Sequence, residues 1–219
     1  MKHLTSEEFR KVWSDFWESK QHINLPEVSL IADKESTALF NVAGMQPLIP
    51  YLMGKEHPLG KRIFNIQKCI RTVDIAEVGD SSHLTFFEMM GNWSLGEYFK
   101  KEAVGWSWEF LTKYLEMDPR KIAVTVFAGD ENAPRDEETA IYWKECFEQA
   151  KIPANISYLP AKNNRRSPGP VGPCGPDTEI FYRVGESEFP PDESTVENDE
   201  DNWLEIWNNV FMEYYRDES

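Results

Sequence analysis

The chain has 219 residues and is strongly acidic, with a formal net charge of −15. Hydrophobic residues make up 41% of it and aromatic residues 13%. No apolar run approaches the roughly 20 residues that cross a bilayer. The length suffices for one domain with a hydrophobic core, since domains typically have about 100–200 residues. We therefore expect a single globular domain over residues 1–219, without a membrane as partner.

Cysteine and histidine usage indicates the cellular setting. The three cysteines are far apart and odd in number, and the four histidines are scattered. Because the chain has no CxxC or HxxxH pair, we predict no zinc site. The first 20 residues lack the apolar core and small-residue cleavage site of a secretory signal. These features together favour a reducing, cytoplasmic setting.

The negative charge bears on any interaction with nucleic acid. Eight acidic residues fall between Glu186 and Asp201, a segment that we interpret as a solvated loop. Modules that bind nucleic acid usually carry a basic face, because phosphate contacts dominate their affinity. We therefore expect this chain to be poorly suited to bind RNA by itself.

The predicted elements begin with an amphipathic helix over Ser6–Glu18, capped by Thr5 or Ser6. Short elements around a turn are predicted over 37–54, where glycine and prolines interrupt an apolar stretch. The Pro/Gly-rich stretch 167–176 is a loop, ordered or flexible. The other elements are strands from Ile63 to Arg71, Thr85 to Met90, Ile122 to Phe127, Ile156 to Leu159, Asp177 to Val184 and Trp203 to Tyr215, a loop over 72–82, and helices from Tyr98 to Leu115 and Glu137 to Ala150. Strands joined by hairpins and helices indicate an α+β domain with an antiparallel sheet.

The hairpin that starts near Gln67 carries the clearest chemical signal. Arg71 ends its first strand, and an aromatic pair, Phe86 and Phe87, opens the second. A nucleotide needs a fork of donors for its phosphates and an apolar face for its base. The hairpin therefore predicts a nucleotide site.

The stretch QKCIRTVDIAEVGDSSHLTFFEMMGNWSLGEYFKK closely resembles the second signature motif of alanyl-tRNA synthetases, which are class II aminoacyl-tRNA ligases. The stretches FNVAGMQPLIPYLMG, GPCGPDTEIFY and IWNNV resemble other parts of that family in the same order, so the similarity covers essentially the whole chain. The resemblance implies a catalytic domain with an antiparallel sheet flanked by helices. It also implies ATP, Mg²⁺ and alanine as ligands, alanyl-adenylate as the intermediate, and tRNA(Ala) as the acceptor.

The resemblance also assigns residues. Arg71 corresponds to the catalytic arginine that contacts the ATP α-phosphate, where a guanidinium stabilises the charge that develops. Phe87 corresponds to the ring on which adenine stacks. Asn208 and Val210, which share a strand face by the period of two, correspond to an amide for the substrate carboxylate and a wall for its methyl group. Glu179 either reaches a magnesium ion or organises its loop, and we favour the second. The remaining residues expected to bind ATP are His83, Ile206, Trp207 and Asn208.

Three departures from the family limit these expectations. The 219 residues contain no third motif, which in the family carries the aspartate for the alanine ammonium and the arginine for the ATP γ-phosphate. Arg165 and Arg166 stand where the family has an aromatic wall, and whether they enter the pocket stays open, although arginines usually point to solvent. The family's histidine before TFFEM aligns with Leu84, so His83 stands one position early.

These departures lead to two alternative functions. We expect an amino-terminal, carboxy-terminally incomplete segment of an alanine–tRNA ligase, inactive alone, which contacts tRNA(Ala) only through segments absent here. A downstream segment or a second chain would then supply the third motif. The alternative is a catalytically impaired paralogue that binds a nucleotide or a partner.

Overall fold

The computed structural model describes residues 1–32, 39–80, 83–167, 171–184, 190 and 194–217. Parts of the predicted segments at 37–54, 72–82, 167–176 and 186–201 lie outside these ranges. Internal contacts divide the chain into two compact units, one formed by Leu4–Glu97 and the other by Tyr98–Ser219 with Met1–His3. The single domain over residues 1–219 stays a prediction.

In the first unit, helix α1 spans Ser6–Ser19, as predicted, and Thr5 is its cap. The backbone N–H of Thr5 donates to Glu8 Oε2 at 2.8 Å, and the backbone N–H of Glu8 donates to Thr5 Oγ1 at 3.3 Å. This reciprocal capping box satisfies two amides that a helix start leaves unpaired. The helix buries one aromatic side against the rest of the unit, formed by Trp13, Phe16 and Trp17.

The first unit contains a three-stranded sheet of β1 (Ile23–Asn24), β2 (Arg62–Ile70) and β3 (Phe86–Ser94). Strand β1 is parallel to β2, and β2 is antiparallel to β3. The predicted hairpin is therefore confirmed, and its second strand extends further than expected. The turn region contains a 3-10 helix at Gln46–Leu48 and the short helix α2 at Ile49–Leu52, so the prediction of short elements is confirmed there.

The buried histidine at the end of α1 provides a pH-dependent test of this unit. His22 is only 3% exposed, and burial lowers its pKa to about 4 from an ordinary 6.5. A base with a lowered folded-state pKa contributes stability that is present above pH 6.5 and is lost as the pH falls through 4. We expect this group to remove roughly 3 kcal/mol between pH 7 and 4, at about 1.4 kcal/mol per pKa unit.

The measurement is the free energy of unfolding in urea at several pH values, for the natural chain and for His22→Gln. The difference between the two proteins should shrink or reverse on acidification, because glutamine does not titrate. A difference that stays constant from pH 7 to 4 would contradict the prediction.

The second unit places its helices around a larger sheet. Helix α3 spans Lys100–Glu109 and continues as a π-helical turn over Phe110–Tyr114, and helix α4 spans Glu137–Gln149. Helix α5, a single turn, spans Ala161–Asn164. Both long helices were predicted. Asp136 caps α4 by accepting from the backbone N–H of Thr139 at 3.1 Å.

The sheet of this unit has six strands in the order β5-β4-β7-β6, and both β8 and β9 also pair with β7. The pair β4 and β5 is parallel, and the other pairs are antiparallel. The α+β class is confirmed, although each unit contains one parallel pair in its sheet. The strand bounds are β4 Ile122–Phe127, β5 Ile156–Leu159, β6 Arg165–Arg166, β7 Gly172–Arg183, β8 Trp203–Val210 and β9 Tyr214–Arg216.

Two predicted boundaries in this sheet were wrong. The GPCGP stretch is not a loop that precedes the strand, because β7 already begins at Gly172. The single strand predicted over Trp203–Tyr215 is two strands, β8 and β9. The physical reason is a close crossing at Gly175, where a Cβ would lie 1.8 Å from the carbonyl oxygen of Phe211. Only glycine allows the chain after β8 to approach β7 so closely.

The acidic segment is not simply a solvated loop within residues 194–201, so that prediction was wrong there. Ser194 and Val196 are buried, at 7% and 8% exposure. The Arg183 guanidinium forms an ion pair with Asp199 and donates to Ser194 Oγ at 2.8 Å. These contacts with β7 order part of the segment.

Across the described ranges, no helix has both the length and the apolar character to cross a membrane.

Candidate functional site

Arg71 lies at the end of β2, where the ladder with β3 continues beyond both strands. Its backbone N–H donates to the carbonyl of Thr85 at 2.9 Å. Its side-chain Nε donates to the carbonyl of Val42 at 3.0 Å, which fixes the direction of the guanidinium. One hydrogen bond therefore holds the backbone of the predicted catalytic arginine and another holds its side chain. The side-chain hydrogen bond uses one of the five N–H donors of the guanidinium.

Phe87 lies beside Arg71 in the same hairpin. Cys69, two residues before Arg71, is opposite Phe87 in the ladder, and the Arg71 Cζ lies 5.2 Å from the centroid of the Phe87 ring. This distance allows a cation–π interaction. The structure thus brings together a guanidinium and a half-buried aromatic ring, the two features that a nucleotide site requires. The neighbouring Phe86 is 51% exposed.

His83 lies on the loop that connects these strands. Its Nδ1 lies 2.5 Å from Asp80 Oδ2, and its Nε2 lies 3.1 Å from Glu77 Oε2. Both ring nitrogens therefore contact carboxylates of the same loop, which a nucleotide would have to displace. Leu84, which aligns with the family's histidine, is 62% exposed. His83 as a nucleotide contact stays a prediction.

The other predicted residues lie on β7 and β8 in the second unit. Glu179 is opposite Asn208 and Asp177 is opposite Val210, so Asn208 and Val210 share one face, as the period of two predicted. The Asn208 Nδ2 donates to Glu179 Oε1 at 3.4 Å. Asn208 is half-buried, and Val210 is 36% exposed. An amide donor and an apolar side chain therefore lie along one strand face, with a carboxylate beside the amide.

Ile206 and Trp207 do not share that arrangement. Ile180 pairs with Trp207 and Phe181 pairs with Glu205, so Ile206 is the additional residue of a β-bulge. Trp207 alternates with Asn208 and lies on the opposite face. There its ring centroid is 5.8 Å from that of Phe110, and its Nε1 donates to Asn209 Oδ1 at 2.9 Å. The structure gives Trp207 packing contacts, and its role beside a nucleotide stays a prediction.

Both arginines of the NNRR stretch point toward carboxylates. They form β6, which pairs with β7 at Pro176 and Gly175. The Arg166 Nη2 forms an ion pair with Glu179 Oε1, and its Nε lies 3.3 Å from Asp177 Oδ2. The Arg165 Nη1 lies 3.1 Å from Asp130 Oδ2. The side chain of Arg166 is 38% exposed, and the pairing of β6 with β7 aims it at two buried acids.

The acids on this face have raised pKa values. Burial, together with the negative charges of Glu205 and Asp177, raises the pKa of Glu179 to about 8, although Arg166 acts to lower it. Burial also raises the pKa of Asp177 to about 6, against the lowering effects of Arg166 and of the Asn208 amide. The side chain of Asp177 is fully buried. The positive charge of Arg166 thus offsets the repulsion between the closely spaced carboxyl groups.

These residues do not by themselves fit a magnesium ion. In the described ranges, no group of three or more His, Cys, Asp or Glu side chains is arranged to hold a metal. Glu179 Oε1 already accepts from Arg166 and from Asn208. The geometry favours the organising role of Glu179 over the metal-binding one.

Sequence reasoning missed two acids of this face. Asp177 could have been found, because it alternates with Glu179 along a strand. Glu205 could not, because the bulge at Ile206 determines which side chains of β8 lie near Glu179, and no residue pattern marked that bulge.

The chain is similar in sequence to tRNA synthetases. Residues 8–219 match the family described as tRNA synthetases class II (A). The alanine–tRNA ligase of Treponema denticola is 50% identical over 98% of the chain, and that of Borrelia hermsii is 52% identical over 97%. The alanine–tRNA ligase of Rubrobacter xylanophilus is 46% identical over 98% of the chain. The chain spans 36% of the length of the first two relatives and 25% of the third.

Proposed function

Because the chain belongs to the class II tRNA synthetase family, we propose that it is the amino-terminal catalytic segment of an alanine–tRNA ligase. In this proposal the whole protein activates alanine with ATP and transfers it to tRNA(Ala). The observation that carries the proposal is the pairing of Arg71 with Phe87, whose guanidinium and ring lie 5.2 Å apart on one hairpin. A high identity to alanine–tRNA ligases over nearly the whole chain supports the choice of alanine.

The proposed reaction begins with attack of an alanine carboxylate oxygen on the α-phosphorus of ATP. The bond to the bridging oxygen of pyrophosphate breaks, and alanyl-adenylate forms. Arg71 donates to the α-phosphate oxygens, whose charge changes most in the transition state. Phe87 supports the adenine ring by stacking.

Alanine itself is assigned to the face of β8. Asn208 has two Nδ2 hydrogens and gives one to Glu179, which leaves the other for the substrate carboxylate. Val210 provides the apolar surface for the methyl group. Mg²⁺ accompanies ATP in this proposal, and its ligands are groups other than Asp177, Glu179 and Glu205.

The tRNA contacts are proposed to lie in other parts of the protein. A net charge of −15 gives this chain little attraction for RNA phosphates. The third motif comes from a downstream segment or a second chain in the same proposal, and the setting is cytoplasmic.

A second candidate function is supported by one observation. Arg166 stands where the family has an aromatic wall, and it pairs with two acids on the proposed alanine face. A paralogue that binds a nucleotide or a partner without ligation would tolerate such a change.

Alanine-dependent exchange of pyrophosphate into ATP separates these two functions. The chain fused to the third-motif segment of the Treponema denticola relative should exchange when alanine is added. The chain alone should be slower by on the order of 10²–10⁴, because it lacks two charge-assisted contacts of about 1.5–3 kcal/mol each.

Two other outcomes would change the interpretation. A fusion that binds ATP but exchanges with no amino acid would favour the impaired paralogue. Equal exchange by the fusion and the chain alone would mean that the third motif is not required.

A further inference from the structure

A continuous chain of three polar side chains crosses the proposed alanine face. It runs from Arg166 on β6 through Glu179 on β7 to Asn208 on β8. A single atom, Glu179 Oε1, accepts from the Arg166 Nη2 and from the Asn208 Nδ2. The position of that oxygen therefore couples the arginine to the amide.

The two ends of the Asn208 amide have different surroundings. Its Nδ2 faces Glu179, and the amide also lies close enough to Asp177 to lower the pKa of that carboxyl. Its Oδ1 is buried and has no hydrogen-bond partner among the described residues. Turning the amide over would direct Oδ1 at Glu179 and remove the hydrogen bond. The acids on β7 therefore select one of the two amide orientations.

The two hydrogen bonds to Glu179 Oε1 do not require a particular charge on Glu179. Both hydrogen bonds need only that Oε1 accept, and the carbonyl oxygen of a protonated carboxyl group also accepts. What must be maintained is the direction of the carboxyl group. Arg166 maintains it, because its planar fork contacts Glu179 and Asp177 from one side.

We propose that Arg166 is a positioning residue that acts through Glu179 to hold the Asn208 amide so that its second Nδ2 hydrogen is directed at a substrate carboxylate. This inference rests on the proposed function and deepens it, because it adds a residue to the alanine site. It also gives a role to a cation at a position where the family resemblance implies an aromatic side chain.

The direct test is the side-chain amide signal of Asn208 in the 219-residue chain, labelled with ¹⁵N-asparagine and assigned by its loss in Asn208→Ser. In the natural chain, the Asn208 Nδ2 hydrogen that is donated to Glu179 should exchange slowly with water. Arg166→Gln should accelerate that exchange roughly tenfold, since a hydrogen bond to an oriented carboxyl group is weakened. Arg166→Lys, which keeps a donor for Glu179, should restore most of the protection.

Matched controls separate positioning from general loosening of the fold. Arg165→Gln removes the neighbouring arginine, which pairs with Asp130 instead, and should leave the Asn208 signal unchanged. Glu179→Ala should have the same effect as Arg166→Gln, and the double variant should be no worse than Glu179→Ala alone. An Asn208 signal that does not respond to Arg166→Gln, or equal effects of the two arginine variants, would overturn the inference.

Titration with alanine keeps this inference distinct from the proposed function. In the fusion that supplies the third motif, alanine should shift the Asn208 signal, and it should bind roughly tenfold more weakly when Arg166→Gln is introduced. If alanine perturbs no signal of the fusion while the hydrogen-exchange result holds, the proposed function fails and the positioning role stands. If alanine binds equally to both, Arg166 does not serve the substrate site and the inference is overturned.

Discussion

Arg71→Ala is expected to weaken ATP binding to this chain roughly 10- to 100-fold. The guanidinium is directed by the Val42 carbonyl and rests near the Phe87 ring, so little ordering is needed when a phosphate arrives. Hydrogen bonds to charged groups contribute about 1.5–3 kcal/mol, and about 1.4 kcal/mol is a factor of ten in affinity. Isothermal titration calorimetry with ATP measures the change directly.

Phe87→Ala should weaken ATP binding by a comparable amount, because base–aromatic stacking contributes roughly 1–3 kcal/mol. The matched control is Phe86→Ala, which removes the adjacent ring that is already 51% exposed. Arg71→Lys is a second control, since lysine keeps the charge but loses the fork and should give an intermediate affinity. If Arg71→Ala and Phe87→Ala bind ATP as the natural chain does, their contact is only structural and the nucleotide site lies elsewhere.

Local patterns predicted the parts of the site that depend on one strand or one hairpin. The alternation along β8 gave the shared face of Asn208 and Val210, and the register with β7 confirms it. The strand–loop–strand pattern gave the hairpin that brings Arg71 beside Phe87. Both depend on the fixed period of a strand, which a sequence displays directly.

The features that could not be predicted depend on contacts between separate segments of the chain. Arg166 turns inward because β6 pairs with β7, and nothing within NNRR encodes that partner. The break between β8 and β9 follows from the close passage of Phe211 over Gly175, where a side chain would clash. The burial of Ser194 within an acidic run depends on Arg183 from another strand. Composition alone gave the opposite expectation for the last of these three features.

Lys100→Met is expected to lower the free energy of unfolding by roughly 3–5 kcal/mol, the largest effect on stability that we predict. The Lys100 side chain is only 6% exposed, and its Nζ lies 3.1 Å from Asp136 Oδ1 and 2.5 Å from Glu213 Oε1. Burial alone would lower the pKa of Lys100, but the hydrogen bonds and charges of Glu213 and Asp136 outweigh it and raise the pKa. Methionine fills a similar volume but leaves two carboxylates without their cation. Urea unfolding followed by circular dichroism measures the loss.

The neighbouring lysine provides the control, since Lys101 is exposed and Lys101→Met should change the stability by less than about 0.5 kcal/mol.

A triple variant tests whether the uncompensated carboxylates cause the loss of stability. Adding Asp136→Asn and Glu213→Gln to Lys100→Met removes the uncompensated charges, and it should recover part of the lost stability although Asp136 also caps α4. If Lys100→Met costs no more than Lys101→Met, the acids around Lys100 are solvated well enough without it. If the triple variant is less stable than Lys100→Met, the hydrogen bonds of Asp136 and Glu213 matter more than their charge.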